Sequence, residues 1–418
     1  MSSTLLAAGL LCLPLALAQS GVVKPLVQDC SPNIPGVVCI NKYASVMPYH
    51  FFRNNPNVTT DITLGQTSVP NDTSWARVES ADFLVFDQQK AMQILGPKPT
   101  NEFVFKISKA VHEAPVYVPA QNKLYMSEHW SQLAPPTGYL PQLVVDLNAN
   151  PPTLSEYLSD PPVYAPNGGT FHKGLIYWGA SGGSNSIGGM EQRVGVITLD
   201  PLTNKTNVLL NNYYGHYFNT VDDLVVDACG DVWFTDPQYS WFTGLTDTPP
   251  QLEAASYRFR PSTGEVSIVD DSILQPNGIA LSPDGKYVYI SDTGMIDGTL
   301  SPEYPNIHGV TLNYTSKRTI YKFDLTDNGT HITGKRPIWL SQDWVPDGLK
   351  VARNGYVLTG AGKGVDIMDD RGHMIARVQT NYTVQNFAWT GKNWTDFWIM
   401  GQGGVSKVTW NLQGPELV

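Results

Sequence analysis

The sequence predicts an all-β fold, a six-bladed β-propeller with an N-terminal extension, and three observations support this fold class. A pattern of two short β-rich runs joined by a tight turn recurs six times along the chain. The copies follow one another at intervals of roughly 40 to 70 residues, which is typical of propeller blades. Apolar residues almost never recur with the helical period, so a superhelix of paired α-helices is excluded.

The clearest copy occupies residues 275–294 and has β-rich runs at 279–281 and 287–291. The turn between them contains Pro283, which fixes φ, and Gly285, which accepts a positive φ. Apolar and polar side chains alternate in the second run, so this strand has two different faces. The segment is therefore a β-hairpin, and the other five copies repeat its order of strand, turn and strand.

Each copy begins with a residue whose side chain carries an oxygen atom. Equivalent positions of successive blades form a ring about the axis of a propeller, so these side chains are expected at one mouth of the central channel. Carboxylates and amides in a ring suit a hard cation such as Ca²⁺, and no His–Cys cluster with zinc spacing competes. Asn and Asp are also common turn formers, which is the alternative explanation for any single position. The six residues are Glu113, Asn167, Asp222, Asn277, Asp347 and Asn386.

Residues 1–18 resemble a secretory signal peptide. The stretch 5–17 is apolar, is followed by a small-residue cleavage site, and is too short to span a membrane. Seven Asn-X-Ser/Thr sequons are more than chance gives, so we expect a secreted, extracellular glycoprotein. The sequons begin at Asn57, Asn71, Asn204, Asn313, Asn328, Asn381 and Asn393.

Residues 19–80 are rich in Pro and Asn and are expected to form an irregular arm before a propeller domain at 81–418. Cys30 and Cys39 close a short loop in this arm and are predicted to form a disulfide, which would leave Cys229 free. A disulfide from Cys229 to either of them is the alternative that the sequence leaves open.

Two strands, at 83–86 and 102–107, and a helix over 88–95 are predicted before the first copy. Asp87 is the expected N-cap of the helix and Gly96 its stop signal. The sixth copy is followed by too few residues for a full blade. One of the two N-terminal strands is therefore expected to complete it and close the propeller without a free edge.

Two long loops are expected at the rim. Residues 295–313, which include His308, have little strand character and are interpreted as a lid, because long loops inside compact domains tend to be functional. An ordinary glycosylated loop near Asn313 is the alternative. The Gly-rich stretch 179–189 is interpreted as a second rim loop, since it does not lead from a strand into a helix as a phosphate loop does.

Composition excludes several classes of partner. The chain has 418 residues, a net charge of −10 and only 15% charged residues. Without a cluster of Lys and Arg it offers no electrostatic footprint for nucleic acid or for an anionic membrane. Its length would allow two or three domains, but all-β propellers often run this long as one domain.

Three stretches resemble the SMP-30/gluconolactonase family, six-bladed propellers that hydrolyse lactones with a divalent metal in the channel. They are the segment HEAPVY at 112–117, the segment FNTVDDL at 218–224 with WFTDP at 233–237, and the triplets PNG at 276–278 and PDG at 346–348. Together they extend over residues 105–411, and the most similar variety is the secreted fungal type of lactonohydrolase.

The resemblance implies that Glu113, Asn277 and Asp347 are metal ligands. The family's Asn that contacts metal and substrate falls on Asp222, so this chain would place three carboxylates around Ca²⁺, with a net charge of −1. Thr220 stands where one family member has an Arg, and the sugar-acid specificity that this Arg gives is therefore not implied for this chain.

The implied activity is hydrolysis of a small sugar-acid or hydroxy-acid lactone to the free acid. The cation would polarise the carbonyl, but Ca²⁺ acidifies water weakly, so a general base is required. Asp222, Asp223 and Asp347 are the candidate catalytic carboxylates. Asn167 and Asn386 are assigned to the substrate side of the mouth, and the alternative bases near blade ends are His129, His172 and His216.

Two other functions remain open at this point. A metal-dependent arylesterase or phosphotriesterase could use the same ring on an acyclic ester. A non-catalytic binding module is the other alternative, because fold does not dictate function, although three converging carboxylates argue against it. Serine-hydrolase chemistry is not indicated, because no Gly-X-Ser-X-Gly turn leads from a strand into a helix.

Overall fold

A computed structural model describes residues 25–41, 46–47, 51–53, 63–129, 142–183, 186–187, 190–246, 248–298 and 309–416. The predicted signal peptide at 1–18, the sequon at Asn57 and residues 299–308 of the predicted lid, including His308, lie outside the described residues. The described part of the chain is built almost entirely of short antiparallel strands, and the all-β propeller predicted from the sequence is confirmed.

The main sheets are numbered 1 to 6 in the order of their innermost strands, which lead each sheet below. Five of them have four antiparallel strands each. Sheet 1 contains Val116–Val118, Lys123–Ser127, Gln142–Asp146 and Thr153–Tyr157. Sheet 2 contains Pro166–His172, Leu175–Ala180, Gly195–Asp200 and Lys205–Leu210. Sheet 3 contains Leu224–Val226, Val232–Asp236, Ala255–Arg260 and Glu265–Asp270.

The remaining sheets follow the same order. Sheet 4 contains Pro276–Leu281, Tyr287–Asp292, Thr319–Thr326 and His331–Leu340. Sheet 6 contains Val384–Thr390, Asp396–Gly401, Gly404–Thr409 and Thr100–Lys106. Two short ribbons leave the rim, Ser186–Ile187 with Met190–Glu191 and Ile296–Gly298 with Val310–Leu312. The innermost strand of each sheet contacts that of the next, and that of sheet 6 contacts that of sheet 1.

Sheet 5 has seven strands rather than four. Its inner strands are Pro346–Val351, Val357–Ala361, Gly364–Met368 and Met374–Gln379. Phe83–Val85 then pairs with the outermost of these, and Val37–Ile40 and Val27–Asp29 extend the sheet further. The arm expected to be irregular is thus more regular than its composition indicates, because its two short strands continue an open sheet edge.

The propeller is closed by Thr100–Lys106, which pairs with Gly404–Thr409 as the outermost strand of sheet 6. Of the two N-terminal strands considered from the sequence, the second closes the ring, and the first covers the edge of sheet 5. Chain ends that share one sheet hold the first and last parts of the sequence together.

Helices are few and short among the described residues. The predicted helix Gln88–Leu95 is present: the Asp87 carboxylate accepts a hydrogen bond from Lys90 N at 3.1 Å, and Gly96 ends the helix with φ of 73°. The others are the α-helices Arg77–Ser80 and Tyr239–Phe242 and the 3₁₀ turns Leu64–Gln66 and Thr73–Ala76. None of the described helices is long and apolar enough to cross a membrane.

A disulfide joins Cys30 to Cys39, with 5.1 Å between their Cα atoms, and Cys229 is free and exposed. Both features agree with the prediction. The arm is also tied to sheet 5 by charge. The buried Arg377 binds Asp366 at 2.6 Å and Asp343 at 2.7 Å, and Arg53 of the arm reaches Asp343 at 3.3 Å.

Candidate functional site

The six predicted mouth residues lie at the same end of the channel, at or just before the start of each innermost strand. Glu113 and Asp222 precede the first strands of sheets 1 and 3, and the other four are the second or third residues of their strands. Backbone contacts join neighbours, since Ala114 N donates to Asn167 O at 3.2 Å. The name mouth group is used below for Glu113, Asn167, Asp222, Asn277, Asp347 and Asn386.

Glu113 is buried and lies among other carboxylates. Its Oε2 accepts a hydrogen bond from Asn386 Nδ2 at 3.1 Å, and the carboxyl group of Asp347 lies near it. Burial raises the pKa of Glu113 well above its usual value, and the charges of Asp347 and Asp222 raise it further.

Asp222 is buried, and its Oδ2 has no hydrogen-bond partner. Its backbone N donates to Thr235 O at 2.9 Å, which fixes the main chain but leaves the side chain unpaired. Burial raises the pKa of Asp222 well above its usual value, and the charges of Asp347 and Asp223 add to the effect. A buried oxygen without a partner is costly unless a ligand completes it.

Asp347 and Asn277 complete the charged part of the mouth group. Burial raises the pKa of Asp347 to about 7, while a hydrogen bond with the Asn277 side chain opposes this change. Asn277 is buried, whereas Asp347 keeps part of its surface exposed. Asp347 is therefore the least enclosed of the three carboxylates of the mouth group.

The main chain that carries these residues is held by small polar side chains of the second strands. Thr235 Oγ1 donates to Asn277 O, and Ser291 Oγ donates to Asp347 O at 3.3 Å. Each hydroxyl group therefore joins one sheet to the mouth residue of the next. At the ends of the second strands of sheets 3 and 4, aspartate side chains bind nearby backbone N–H groups. Asp236 accepts a hydrogen bond from Thr220 N at 2.7 Å, and Asp292 accepts one from Gly294 N at 3.0 Å.

Glycine follows three of the mouth residues and allows the innermost strands to approach closely. A Cβ atom on Gly278 would lie 2.6 Å from Asp347 O, and one on Gly348 would lie 2.4 Å from Asn386 Cγ. A Cβ atom on Gly168 would lie 2.3 Å from Asp222 O. The close packing that brings the oxygen atoms together is therefore available only to glycine at these positions.

Asp223, a candidate base from the sequence, lies below the mouth group. Its Oδ1 accepts from Leu224 N at 2.9 Å. Burial raises the pKa of Asp223, and this effect exceeds the lowering by the charge of Lys350 and then by the backbone N–H groups of Leu224, Ile279 and Leu349. Its Oδ2 has no hydrogen-bond partner of good geometry. This carboxylate thus faces main-chain groups of sheets 3, 4 and 5 rather than the opening.

Beyond Asp223 the channel widens into a cavity of about 540 Å³ at the opposite end. Its walls are mostly apolar and include Phe171, Trp389 and Trp394, and none of the mouth group lines it. His172, one of the alternative bases, lines this cavity. It therefore lies at the end of the channel opposite the mouth group and is excluded as a base there.

The other two histidine candidates are also explained by packing or position. His129 Nε2 donates to Pro166 O at 2.5 Å, and burial lowers the pKa of His129 to about 4, so the ring is neutral and engaged. His216 lies in an exposed turn beside Tyr213. No described contact connects either ring to a carboxylate of the mouth group.

The predicted substrate-side residues differ in their contacts. Asn386 is buried, and besides donating to Glu113 it accepts from Phe387 N at 2.8 Å, so both ends of its amide are used. Asn167 is half-buried, and its backbone oxygen makes its described contact with Ala114. Asn386 therefore supports the ligand candidate Glu113, while Asn167 contributes its main chain to the mouth.

Tyr239 is a residue of the site that sequence analysis missed. It begins the helix Tyr239–Phe242 and is partly exposed, and its hydroxyl group contacts Thr293 Oγ1. Burial raises the pKa of Tyr239, followed by the charges of Asp222 and Asp347, and a hydrogen bond with Asn277 opposes them. The only sequence signal is its position, three residues after the end of the strand Val232–Asp236.

The residues of the mouth fit a hard divalent cation by the chemistry of their donors. They offer carboxylate and amide oxygens, a surplus of negative charge and a buried, unpaired Asp222 Oδ2. Within the described ranges, no group of three or more His, Cys, Asp and Glu side chains could hold a metal ion by itself. The predicted set of Glu113, Asp222 and Asp347 therefore does not form such a group, and the match to a divalent cation rests on donor chemistry and charge.

Fold and site together define a β-propeller with an acidic, oxygen-rich channel mouth. The model of the SMP-30/Gluconolactonase/LRE-like region matches residues 172–296. Lactonohydrolase oryL of Aspergillus oryzae is 44% identical over 396 residues, 94% of this chain and 89% of that protein. Lactonohydrolase oryH of the same species is 38% identical over 473 aligned positions, 100% of this chain and 99% of that protein.

The chain therefore belongs to the SMP-30/gluconolactonase family. Among solved structures, a gluconolactonase of Xanthomonas campestris aligns with a TM-score of 0.61 at 20% identity. The alignment covers 78% of this chain and 94% of that one, which supports the propeller fold.

Proposed function

We propose that the protein is a calcium-dependent lactonohydrolase that opens a small sugar-acid or hydroxy-acid lactone to the free acid. The observation that carries the proposal is the acidic mouth group, with its unpaired Asp222 Oδ2, in a chain 44% identical to a lactonohydrolase. A scaffold without catalytic function has no use for buried carboxylates whose mutual repulsion destabilises the fold.

Four residues would hold the cation: Glu113, Asp222, Asn277 and Asp347. All of them offer oxygen donors, which Ca²⁺ prefers over the nitrogen and sulfur donors typical of zinc sites. When bound, Ca²⁺ would polarise the lactone carbonyl and stabilise the oxyanion. Asn386 would keep Glu113 in place through its hydrogen bond of 3.1 Å.

Asp222 is the preferred general base of the proposal, because it belongs to the mouth group and its Oδ2 has no hydrogen-bond partner. Asp222 would take a proton from water as the water oxygen attacks the carbonyl carbon. The ring C–O bond then breaks, and the leaving oxygen receives this proton, which yields the hydroxy acid. Asp347 is the second candidate base, and the contacts of Asp223 with main-chain groups make it less suited.

The test is elemental analysis of the purified protein combined with lactonase assays before and after chelation. We expect about one Ca²⁺ per chain, loss of turnover with a chelator, and recovery when Ca²⁺ is added back. The melting temperature should fall on chelation, because a ligand that binds only the folded state stabilises it. Full activity of a metal-free protein would refute the calcium dependence.

Substrate class is tested by measuring kcat/KM on a small lactone and on an aryl ester with the same preparation. We expect the lactone to be preferred. A higher value on the aryl ester would instead favour the arylesterase or phosphotriesterase function of the same mouth group.

We also propose that the chain is exported and glycosylated. The apolar stretch at 5–17 supports a cleaved signal peptide. Five of the sequon asparagines are exposed, which suits glycan attachment: Asn71, Asn313, Asn328, Asn381 and Asn393. N-terminal sequencing of the protein from the culture medium should begin near Gln19, and an endoglycosidase should lower its mass. A retained Met1 or an unchanged mass would contradict the respective half of the proposal.

We infer, finally, that the propeller has six blades, with the four inner strands of sheet 5 as one of them. The support is that these four strands repeat the order of the other sheets. An experimental structure that placed sheet 5 outside the ring would contradict this count.

A further inference from the structure

The cavity at the end of the channel opposite the mouth group has the size and the walls of a ligand pocket. Its volume of about 540 Å³ lies within the range of about 300–1,000 Å³ that is typical of sites for small organic molecules. All six main sheets contribute to its walls. Buried side chains such as Val116, Ala280 and Leu349 line it together with the exposed Lys173 and Glu416, so the cavity extends from the interior to solvent.

An aromatic part of the wall is held in place by residues near the end of the chain. Trp389 Nε1 donates to Leu412 O at 3.2 Å, and Trp394 O accepts a hydrogen bond from Gly414 N at 2.9 Å. The Trp394 ring also packs edge-on against Tyr117, with 5.5 Å between the ring centroids. Aromatic groups that are fixed before a ligand arrives reduce the entropy lost on binding, so this wall is suited to an apolar, aromatic molecule.

The two carboxylates that line the cavity are already engaged. Asp227 accepts a hydrogen bond from Cys229 N at 2.8 Å. Glu416 Oε2 lies 3.9 Å from a guanidinium nitrogen of Arg353, close enough for an ion pair. Neither carboxylate therefore leaves its negative charge without a partner in the cavity.

The two lysines that line the cavity differ from these carboxylates. Lys350 is half-buried and Lys173 is exposed, and within the described ranges neither ammonium group makes a hydrogen bond or an ion pair. Asp223 feels the charge of Lys350, but no ion pair joins these two side chains in the part of the chain that the structure describes. His172 also lines the cavity, and burial lowers its pKa, so its ring is neutral at pH 7. A half-buried ammonium group in a mostly apolar wall is stabilised when an anion binds beside it.

We propose that this cavity is a binding site for an aromatic carboxylate. The carboxylate group of the ligand pairs with Lys350, and its rings lie against Trp389 and Trp394. The inference does not depend on the proposed function, because none of the mouth group lines the cavity.

The experiment is calorimetric titration of the protein with 2-naphthoate and with its neutral amide, 2-naphthamide, which has the same shape without the charge. We expect 2-naphthoate to bind with a dissociation constant below about 1 mM, the affinity that a ligand of this size reaches at ordinary efficiency. The amide should bind at least about tenfold more weakly, because it cannot form the charge-assisted hydrogen bond with Lys350. Absence of 2-naphthoate binding, or equal affinities for the acid and the amide, would overturn the proposal.

Lys350→Met tests the cation itself, since methionine keeps an unbranched side chain and removes the charge. The dissociation constant for 2-naphthoate should rise about tenfold in this variant, and that for the amide should change less than about twofold. The matched control is Lys286→Met. Lys286 is exposed in the turn between the first two strands of sheet 4, lies 3.2 Å from Asp284 and does not line the cavity. This control should bind 2-naphthoate within about twofold of the wild type, because an exposed ion pair contributes little.

Thermal unfolding of both lysine variants establishes that each of them is folded. An unchanged affinity of folded Lys350→Met for 2-naphthoate would overturn the assignment of this lysine as the partner of the carboxylate.

Cys229 provides a second readout that needs no substitution. Its thiol is free and exposed and lines the cavity. Bound 2-naphthoate should slow the reaction of this thiol with N-ethylmaleimide, and it should not compete with a lactone, because the mouth group lies at the other end of the channel. An unchanged thiol reaction rate, or competition with the lactone, would place the bound anion elsewhere and overturn the proposal. If the protein hydrolyses no lactone, the proposed function fails, and the thiol reaction still locates the anion.

Discussion

Replacing Gly278 by Ala tests whether the spacing of the innermost strands sets the function of the mouth. The new Cβ atom would lie 2.6 Å from Asp347 O and 2.6 Å from Leu349 N, both main-chain atoms that no side-chain rotation can move. Ordinary contact begins at 3.4 Å, so the strands of sheets 4 and 5 must separate by about 0.8 Å. Overpacking of this kind costs about 3 kcal/mol of the free energy of unfolding.

The same displacement separates Asn277 from Asp347, which are the second residues of these two strands. A shift approaching 1 Å at a catalytic group lowers the rate about 100-fold. We therefore expect Gly278→Ala to lower kcat/KM for a lactone by about two orders of magnitude and to weaken Ca²⁺ binding. The measurements are steady-state hydrolysis, calorimetric titration with Ca²⁺ and thermal unfolding.

Gly230→Ala is the matched control. Gly230 lies in a turn with φ of +88°, and nothing lies within 4 Å of its Cβ position. Alanine there costs about 1–2 kcal/mol of backbone strain but displaces no strand, so kcat/KM should stay within about twofold. If Gly278→Ala retained the kcat/KM of Gly230→Ala, the argument from strand spacing would be wrong.

Three further predictions follow from the site and the arm. If Asp222 is the base, Asp222→Asn should still bind Ca²⁺ and its kcat should fall by a factor of about 10²–10⁴. Weak Ca²⁺ binding by this variant would show that Asp222 is chiefly a ligand. A wild-type kcat together with wild-type Ca²⁺ affinity would exclude either role. Hydrogen bonds from Lys90 and from nearby groups outweigh burial and lower the pKa of Asp369 to about 2. The contribution of the Asp369 carboxylate to the free energy of unfolding is therefore present above about pH 4 and is lost as the pH falls towards 2. Asp369→Asn should remove this pH dependence from the acid unfolding curve. An unchanged curve would contradict the prediction. Replacing Cys30 and Cys39 together by Ala should lower the free energy of unfolding by about 2–3 kcal/mol in denaturant titrations. An unchanged midpoint would show that the disulfide does not contribute to stability.

Local sequence patterns predicted much of the fold. The turn residues and alternating strands placed each hairpin, because Pro and Gly set the backbone angles of a turn by themselves. The helix Gln88–Leu95 was predicted with its cap and stop because both act within one helical turn. The seven-stranded sheet 5 was not predicted, since pairing of Val37–Ile40 with Phe83–Val85 depends on an open edge that only the folded propeller provides.

The site was predictable to a similar extent. The mouth group could be predicted from the sequence repeats, because equivalent positions of successive repeats lie around the axis of the propeller. Repetition could not show that Asp223 turns away from the opening towards Leu224 N, because two adjacent aspartates have the same chemistry in the sequence. Tyr239 lies outside the repeated pattern, in the helix Tyr239–Phe242, so periodicity carried no information about it.

The position of Asp223 has a kinetic consequence. Its carboxylate lies between the mouth group and the apolar cavity, and the mouth residues do not line that cavity. We therefore expect a substrate to reach the mouth group from one side only, the side away from this cavity. The acid that is formed must leave through the opening by which the next lactone arrives. Accumulating acid is expected to compete with lactone for free enzyme, so progress curves should slow before the substrate is exhausted.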